Sequence, residues 1–203
     1  MIERLSEVAN RLVSRETMEK LKAYEALLRE ENRHQNLISA STLDYLWERH
    51  ILDSAQLVRF EPRAGASWAD IGSGAGLPGV IISCLVDGPV TLIEPRRLRA
   101  EFLHRVVESL GLNASVIATK VERVEGSFDV ITARAVANLS KLFEISAHLS
   151  TTNTVWAFPK GTRAREELSE ARRAWQGVFH VEQSVTDPDS QIVVATGVRS
   201  RKR

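Results

Sequence analysis

A chain of 203 residues, 43% hydrophobic and 26% charged, has the composition of one water-soluble globular unit, and no apolar run is long enough to cross a bilayer. Its 27 basic and 26 acidic side chains leave a formal charge of +1, so a nucleic-acid partner would have to be met by local patches rather than by the field of the whole molecule. The single cysteine, Cys84, excludes an internal disulfide and a multi-cysteine metal site, and the charged start MIERLSEVANRLVSRE lacks the apolar core of a secretory signal, so a cytoplasmic protein without a metal centre is expected.

The first sixty residues read as helices. Ile2, Leu5, Val8, Ala9, Leu12 and Val13 follow the helical period, as do Met18, Leu21, Tyr24 and Leu28. Ser41 reads as an N-cap with Asp44 at the capping-box position. A long helix then carries Leu43, Leu46, Trp47, His50, Ile51, Ser54, Leu57 and Val58 on one face until Glu61-Pro62 ends it. From residue 66 short β-like runs alternate with helical ones. The strands are ASWADIG, PVTLIE, ASVIAT, FDVITARA and TVWAFPKG. Between and after them come helices in GLPGVIISCLVD (with Pro78 in its opening turn), over Arg96 to Leu110, over Leu139 to Leu149, and through Leu168, Ala171 and Trp175. Cys84 falls in the apolar run VIISCLV and reads as a buried structural thiol. In VFHVEQSVTDPDSQIVVATGV two strand-like runs flank a turn-rich segment too short for a crossover helix, which predicts an antiparallel hairpin. The expected fold is therefore α/β: a Rossmann-like sheet, mostly parallel, with a C-terminal antiparallel hairpin. Residues 1–62 form a helical extension packed on the core and 63–203 the α/β domain. No coiled-coil seam is visible, and a monomer is expected.

The segment Asp70-Ile71-Gly72-Ser73-Gly74-Ala75-Gly76 lies between the first strand and its helix, at the edge of an open sheet where ligands bind. Glycines there let the chain turn tightly and a ligand approach the backbone. Glu94, at the end of the second strand, can accept hydrogen bonds from both ribose hydroxyls of an adenosine. The dinucleotide fingerprint needs a glycine at position 77, which is Leu77; the G-x-G-x-G preceded by an acid resembles the first motif of class I methyltransferases, and the resemblance implies S-adenosyl-L-methionine as cofactor.

The run Asp70 to Gly79 (DIGSGAGLPG) resembles the glucose-inhibited division protein B family, bacterial 16S rRNA guanine-N7 methyltransferases. So do Asn36-Leu37-Ile38-Ser39, Arg49-His50-Ile51-Leu52-Asp53-Ser54, Arg99 with Phe102-Leu103, Val121-Glu122, Ala133-Arg134-Ala135 and Lys160-Gly161, in the family's order along nearly the whole chain. The resemblance implies methyl transfer from S-adenosylmethionine to N7 of a guanine in 16S rRNA or the small ribosomal subunit. It implies cofactor contacts at Gly72, Leu77, Val121, Glu122 and Arg134, to which the glycine-loop reading adds Gly74, Gly76 and Glu94. Leu98 stands where relatives usually carry Lys, and Arg96 or Arg97 could substitute for it.

The chemistry can be weighed against this. Methylation of a pyrimidine C5 needs a cysteine nucleophile, and Cys84 lies inside a helix. Methylation of an exocyclic amine usually goes with an Asn/Asp-Pro-Pro-Tyr/Phe loop after the fourth strand, where this chain has Ala133-Arg134-Ala135-Val136. Guanine N7 carries a free lone pair and needs orientation but no base. Arg134, Lys160 and Asp53 are the catalytic candidates. Arg134 borders the site, Lys160 could touch an RNA phosphate or guanine O6, and Asp53 could favour the cationic product. Plainer readings stand beside them: an exposed loop Lys160, an Asp53 paired with Arg49 four residues away, and a packed, hydrogen-bonded His50. Arg96, Arg97, Arg99, Lys160 and Arg163 are candidate RNA contacts. Arg165 and the tail Arg199, Arg201, Lys202 and Arg203 are further basic clusters, and such clusters are commonly solvated faces. An NAD-dependent oxidoreductase, a noncatalytic RNA-binding protein and a methyltransferase for another substrate are the alternatives.

Overall fold

The computed structural model describes residues 1–201, so Lys202 and Arg203 of the basic tail lie outside the described residues. Within them, β1 (Trp68–Ile71), β2 (Val90–Ile93), β3 (Ala114–Ile117), β4 (Val130–Ala133), β5 (Val155–Pro159), β6 (Trp175–Gln183) and β7 (Gln191–Ser200) form one sheet in the order β3-β2-β1-β4-β5-β7-β6. The first five strands pair in parallel, and β7 runs antiparallel to both β5 and β6, as the short turn-rich connection requires. β1 and β4 are buried at all four of their positions, the mark of central parallel strands covered on both faces.

The helices α1 (Ile2–Ala9), α2 (Arg15–Glu31), α3 (Ala40–Leu43), α4 (Asp53–Ala55), α5 (Gly79–Leu85), α6 (Arg97–Leu110), α7 (Leu139–Ser146) and α8 (Ala164–Ala171) divide between the two faces. Alternation along β1 does the sorting. Trp68 joins Leu5, Leu21, Ile51, Ile81 and Phe102 in one core, while Ala69 and Ile71 face Leu142, Phe143 and Leu168 in the other. In the second core the Phe143 and Trp156 rings meet edge to face at 5.2 Å, the geometry their quadrupoles favour. No helix among the described residues is long and apolar enough to cross a membrane.

Three expectations need correction. The long helix from Ser41 is broken: Ser39, not Ser41, precedes α3, and after it comes a wide π turn over Trp47–Leu52, then α4 and a 3₁₀ turn over Gln56–Phe60. The π turn takes one residue more per turn and so rotates the buried stripe. Leu52, Ala55 and Gln56 are buried although a 3.6 period leaves them off the face. Pro78 precedes α5 rather than lying inside it. Trp175 opens β6, since α8 ends at Ala171, and its ring reaches Phe143 at 5.7 Å from the strand. The expected Leu139–Leu149 helix is α7 closed by a 3₁₀ turn.

Candidate active site

The strand order reverses between β1 and β4, and Ile71 lies opposite Ala133, so Gly72 and Arg134 leave the sheet side by side at its carboxyl edge. The turn after β1 is tied to β2: the Gly72 and Ser73 N–H groups donate to the Ile93 carbonyl at 2.8 and 3.1 Å. Gly72 has φ +67°, and a Cβ there would lie 2.7 Å from Cγ2 of Val136 in the loop after β4. At Gly76, φ is +95° and a Cβ would meet Val80 Cγ2 at 2.6 Å. Glycine is therefore required at both positions by conformation and by space. Glu94 is buried and turned onto the same loop, its Oε2 accepting from Gly74 N–H at 2.9 Å and its Oε1 from Arg96 N–H at 2.8 Å. Val121 and Glu122 occupy a 3₁₀ turn shortly beyond β3, the edge neighbour of β2, with Val121 buried.

Two further side chains fix this loop. From α2 the fully buried Tyr24 hydroxyl donates to the Ala75 carbonyl at 2.8 Å, across 51 positions of sequence. Asp70 points into the body, where its Oδ2 accepts the Gly79 N–H at 3.1 Å and Oδ1 has no hydrogen-bond partner among the described residues. Burial pushes the Asp70 carboxyl up to about 7, against the opposing pull of the Gly79 N–H and Arg134.

Arg134 turns towards the N-terminal segment. Its Nη1 lies 3.4 Å from both Asp53 Oδ2 and the Arg49 carbonyl, so Asp53 pairs with Arg134 rather than with the Arg49 side chain. Asp53 Oδ1 accepts from Gln56 Nε2 at 2.8 Å and from Thr186 Oγ1 at 3.2 Å. Burial raises its pKa, while Arg134, Thr186 and Gln56 counter the rise. Gln56, 1% exposed, also accepts the Val185 N–H at 2.9 Å and bonds Ser184, which latches the β6–β7 connection onto α4. His50 bonds the Thr42 hydroxyl at 3.0 Å, and burial together with Arg134 pushes its imidazole down to about 4, so it is neutral.

Lys160 is not an exposed loop lysine. Its Nζ donates to the Ala137 carbonyl at 2.7 Å and lies 3.0 Å from Glu167 Oε2, with its side chain 8% exposed. Asp53, Arg134, Lys160, Glu167, Ser184 and Ser190 line one cleft of about 360 Å³ at the ends of β4 and β5. The other basic candidates scatter around this edge. Arg96, Arg97 and Arg99 line a second cleft of about 420 Å³ with Gln35 and Asn36, and Arg163 pairs with Glu166 at 2.9 Å. Arg199 and Arg201 lie at the opposite end of the sheet, because β7 runs antiparallel to β5 and its start, not its end, is beside Pro159. Sequence reasoning missed Tyr24, Gln56, Thr186 and Glu167. Glu167 lies in the charged helix AREELSEA and Thr186 in a turn, where polar side chains are ordinary, so no local signal set them apart.

This is a class I S-adenosylmethionine-dependent methyltransferase fold. Two solved structures share it: a variant of MtNAS in complex with S-adenosylmethionine (TM-score 0.58, 20% identity, 87% of this chain and 74% of that one) and a TehB-like S-adenosylmethionine-dependent methyltransferase from Corynebacterium glutamicum (TM-score 0.54, 15% identity, 71% and 87%). The family model for GidB, rRNA small subunit methyltransferase G, matches residues 17–192, and the chain belongs to that family. It is 47% identical over 200 residues to the ribosomal RNA small subunit methyltransferase G of Zymomonas mobilis, covering 94% of this chain and 90% of that one. It is 45% identical over 183 residues to that of Erythrobacter litoralis (89% and 88%). The residues present fit the cofactor: the positive-φ glycines leave backbone that no Cβ covers, and each Glu94 oxygen holds one N–H and keeps a lone pair for another donor.

Proposed function

We propose that the protein transfers a methyl group from S-adenosylmethionine to N7 of a guanine in 16S ribosomal RNA. In this reading it acts as a cytoplasmic monomer on the small subunit or its RNA, with residues 1–62 as a helical extension and 63–203 as the catalytic domain. The observation that carries the reading is the cleft between Arg134 and Lys160 at the ends of β4 and β5, one strand over from the glycine turn after β1, walled by side chains already fixed by hydrogen bonds. When bound, the cofactor would supply an electrophilic methyl carbon on a sulfonium, with a neutral thioether as its leaving group, to the N7 lone pair. No proton has to be removed, so the protein's part is orientation.

Backbone at Gly72, Gly74, Gly76 and Leu77 would hold the methionyl end of the cofactor, Glu94 would accept hydrogen bonds from its ribose hydroxyls, and Val121 and Glu122 would hold its adenine. Arg134 stands between cofactor loop and cleft, held there by Asp53, and the Asp53 carboxylate offsets the positive charge that methylation leaves on the base. Cys84 takes no part: burial in α5 pushes its thiol up to about 12, which rules it out as the thiolate that C5 chemistry needs.

The test is transfer from labelled S-adenosylmethionine to small subunits from cells lacking the gene, followed by borohydride–aniline cleavage of the RNA. One new cleavage in 16S RNA is expected. Label without cleavage would overturn the N7 assignment. Gly72→Asp should lose cofactor binding by calorimetry, since its side chain must displace Val136 and strain the turn, and an unchanged affinity would move the cofactor elsewhere.

A further inference from the structure

Glu167 is held from two sides at the wall of the cleft. Its Oε2 accepts the Leu139 N–H at the start of α7 at 2.9 Å and faces Lys160 Nζ at 3.0 Å, and Lys160 is in turn fixed by the Ala137 carbonyl. The other oxygen, Oε1, takes no hydrogen bond among the described residues, although the side chain is only 15% exposed and lines the cleft. The second carboxylate of the cleft is differently placed. Asp53 has both oxygens engaged, one by Gln56 and Thr186 and one by Arg134. Glu167 is thus the acidic side chain of this cleft with one oxygen that holds no donor at all, while the other is fixed from two sides. Oε1 is open to the cleft, so a base that fills the cleft strips it of water; an acceptor desolvated in this way favours a ligand that brings a donor and rejects one that does not.

A guanine whose N7 is turned to the methyl donor carries two donors on its far edge, N1–H and the N2 amine. Adenine presents there an acceptor nitrogen and a C–H. We propose that Glu167 is the specificity-determining residue of the reaction, its Oε1 accepting from the N1–H and N2 amine of the target guanine. The proposal rests on the base-methylation reading above. Lys160 and the Leu139 N–H serve it by fixing the carboxylate plane, so the lysine acts through Glu167 rather than on the RNA.

The deciding measurement compares small subunits reconstituted with guanosine or inosine at the methylated position, since inosine lacks only the N2 amine. The wild-type protein should prefer guanosine by about tenfold in kcat/KM, the worth of one hydrogen bond to a charged acceptor. In Glu167→Gln the amide oxygen keeps Leu139 and Lys160 and turns an NH₂ towards the cleft. The guanosine-to-inosine ratio should then fall to within about twofold of unity, and likewise in Glu167→Ala. Because the ratio is taken within one protein preparation, a loss of folded fraction cancels. Equal rates of the wild-type protein on the two bases would overturn the proposal even if the variants are inactive, as would a ratio that the variants leave unchanged. Failure of the wild-type protein to methylate guanosine at all would instead refute the parent reading.

Discussion

At the scale of single residues, the two neutral titratable groups beside Arg134 pull stability in opposite directions. Asp70 has its folded pKa raised from 3.8 to about 7, so between those values the unfolded chain has released a proton that the folded one keeps, and stability falls as pH rises until the slope vanishes above about 7. His50 has its folded pKa lowered from 6.5 to about 4. There the unfolded chain binds the extra proton, and stability is lost as pH falls through that window. Asp70→Asn should remove the first effect and leave the second. Its stability relative to the wild type should therefore grow by up to about 1.4 kcal/mol per pH unit between about pH 4 and 7 and level off above, as read by denaturant unfolding. A constant difference across that range would mean that Asp70 is ionised in the fold. The residues legible in the sequence were those whose chemistry is local: the glycines of the turn and Glu94, reached by one strand and one helix. Gln56, Thr186 and Glu167 were not legible, because what gives each its place is a distant partner, Leu139 for Glu167 at 28 positions and the contacts of Gln56 and Asp53 with 184–186 at 128 to 133, and nothing local marks them.

Among the elements, the wide turn over Trp47–Leu52 explains where periodicity misleads. A helical wheel turned at 100° per residue puts Gln56 outside, whereas the π turn carries it inwards against the β6–β7 connection. Strands and parallel order were readable because short apolar runs alternate with helices. The break in the long helix was not, because no proline or glycine marks it. Gln56→Leu would leave the Val185 N–H without its partner and take one of several hydrogen bonds each from Ser184 and Asp53 Oδ1, which keep Thr186. Unmade buried hydrogen bonds cost about 1–3 kcal/mol each, though part is recovered by water, so a net loss of about 2–3 kcal/mol is expected. For a chain of this size that lowers the midpoint by roughly 5–10 °C in thermal unfolding. An unchanged midpoint would show that the connection holds itself in place.

For the molecule as a whole, the sheet separates two cores, and the N-terminal helices share theirs with α5 and α6, the helices that follow the glycine turn and Glu94. The N-terminal helices are thus built into the edge that carries the glycine turn, and Tyr24 makes the link explicit through its bond to the Ala75 carbonyl. Binding of S-adenosylhomocysteine should tighten that turn and slow amide exchange along α2. Tyr24→Phe should weaken its affinity by about three- to tenfold, the worth of one buried hydrogen bond, while reducing the exchange protection. Equal protection in the variant would remove Tyr24 from the coupling. Linkage between two binding events is reciprocal. If that coupling holds, anything that grips the outer side of α2 changes the affinity for the methyl donor by the same factor with which the donor changes the grip, with one phenolic hydroxyl as the link.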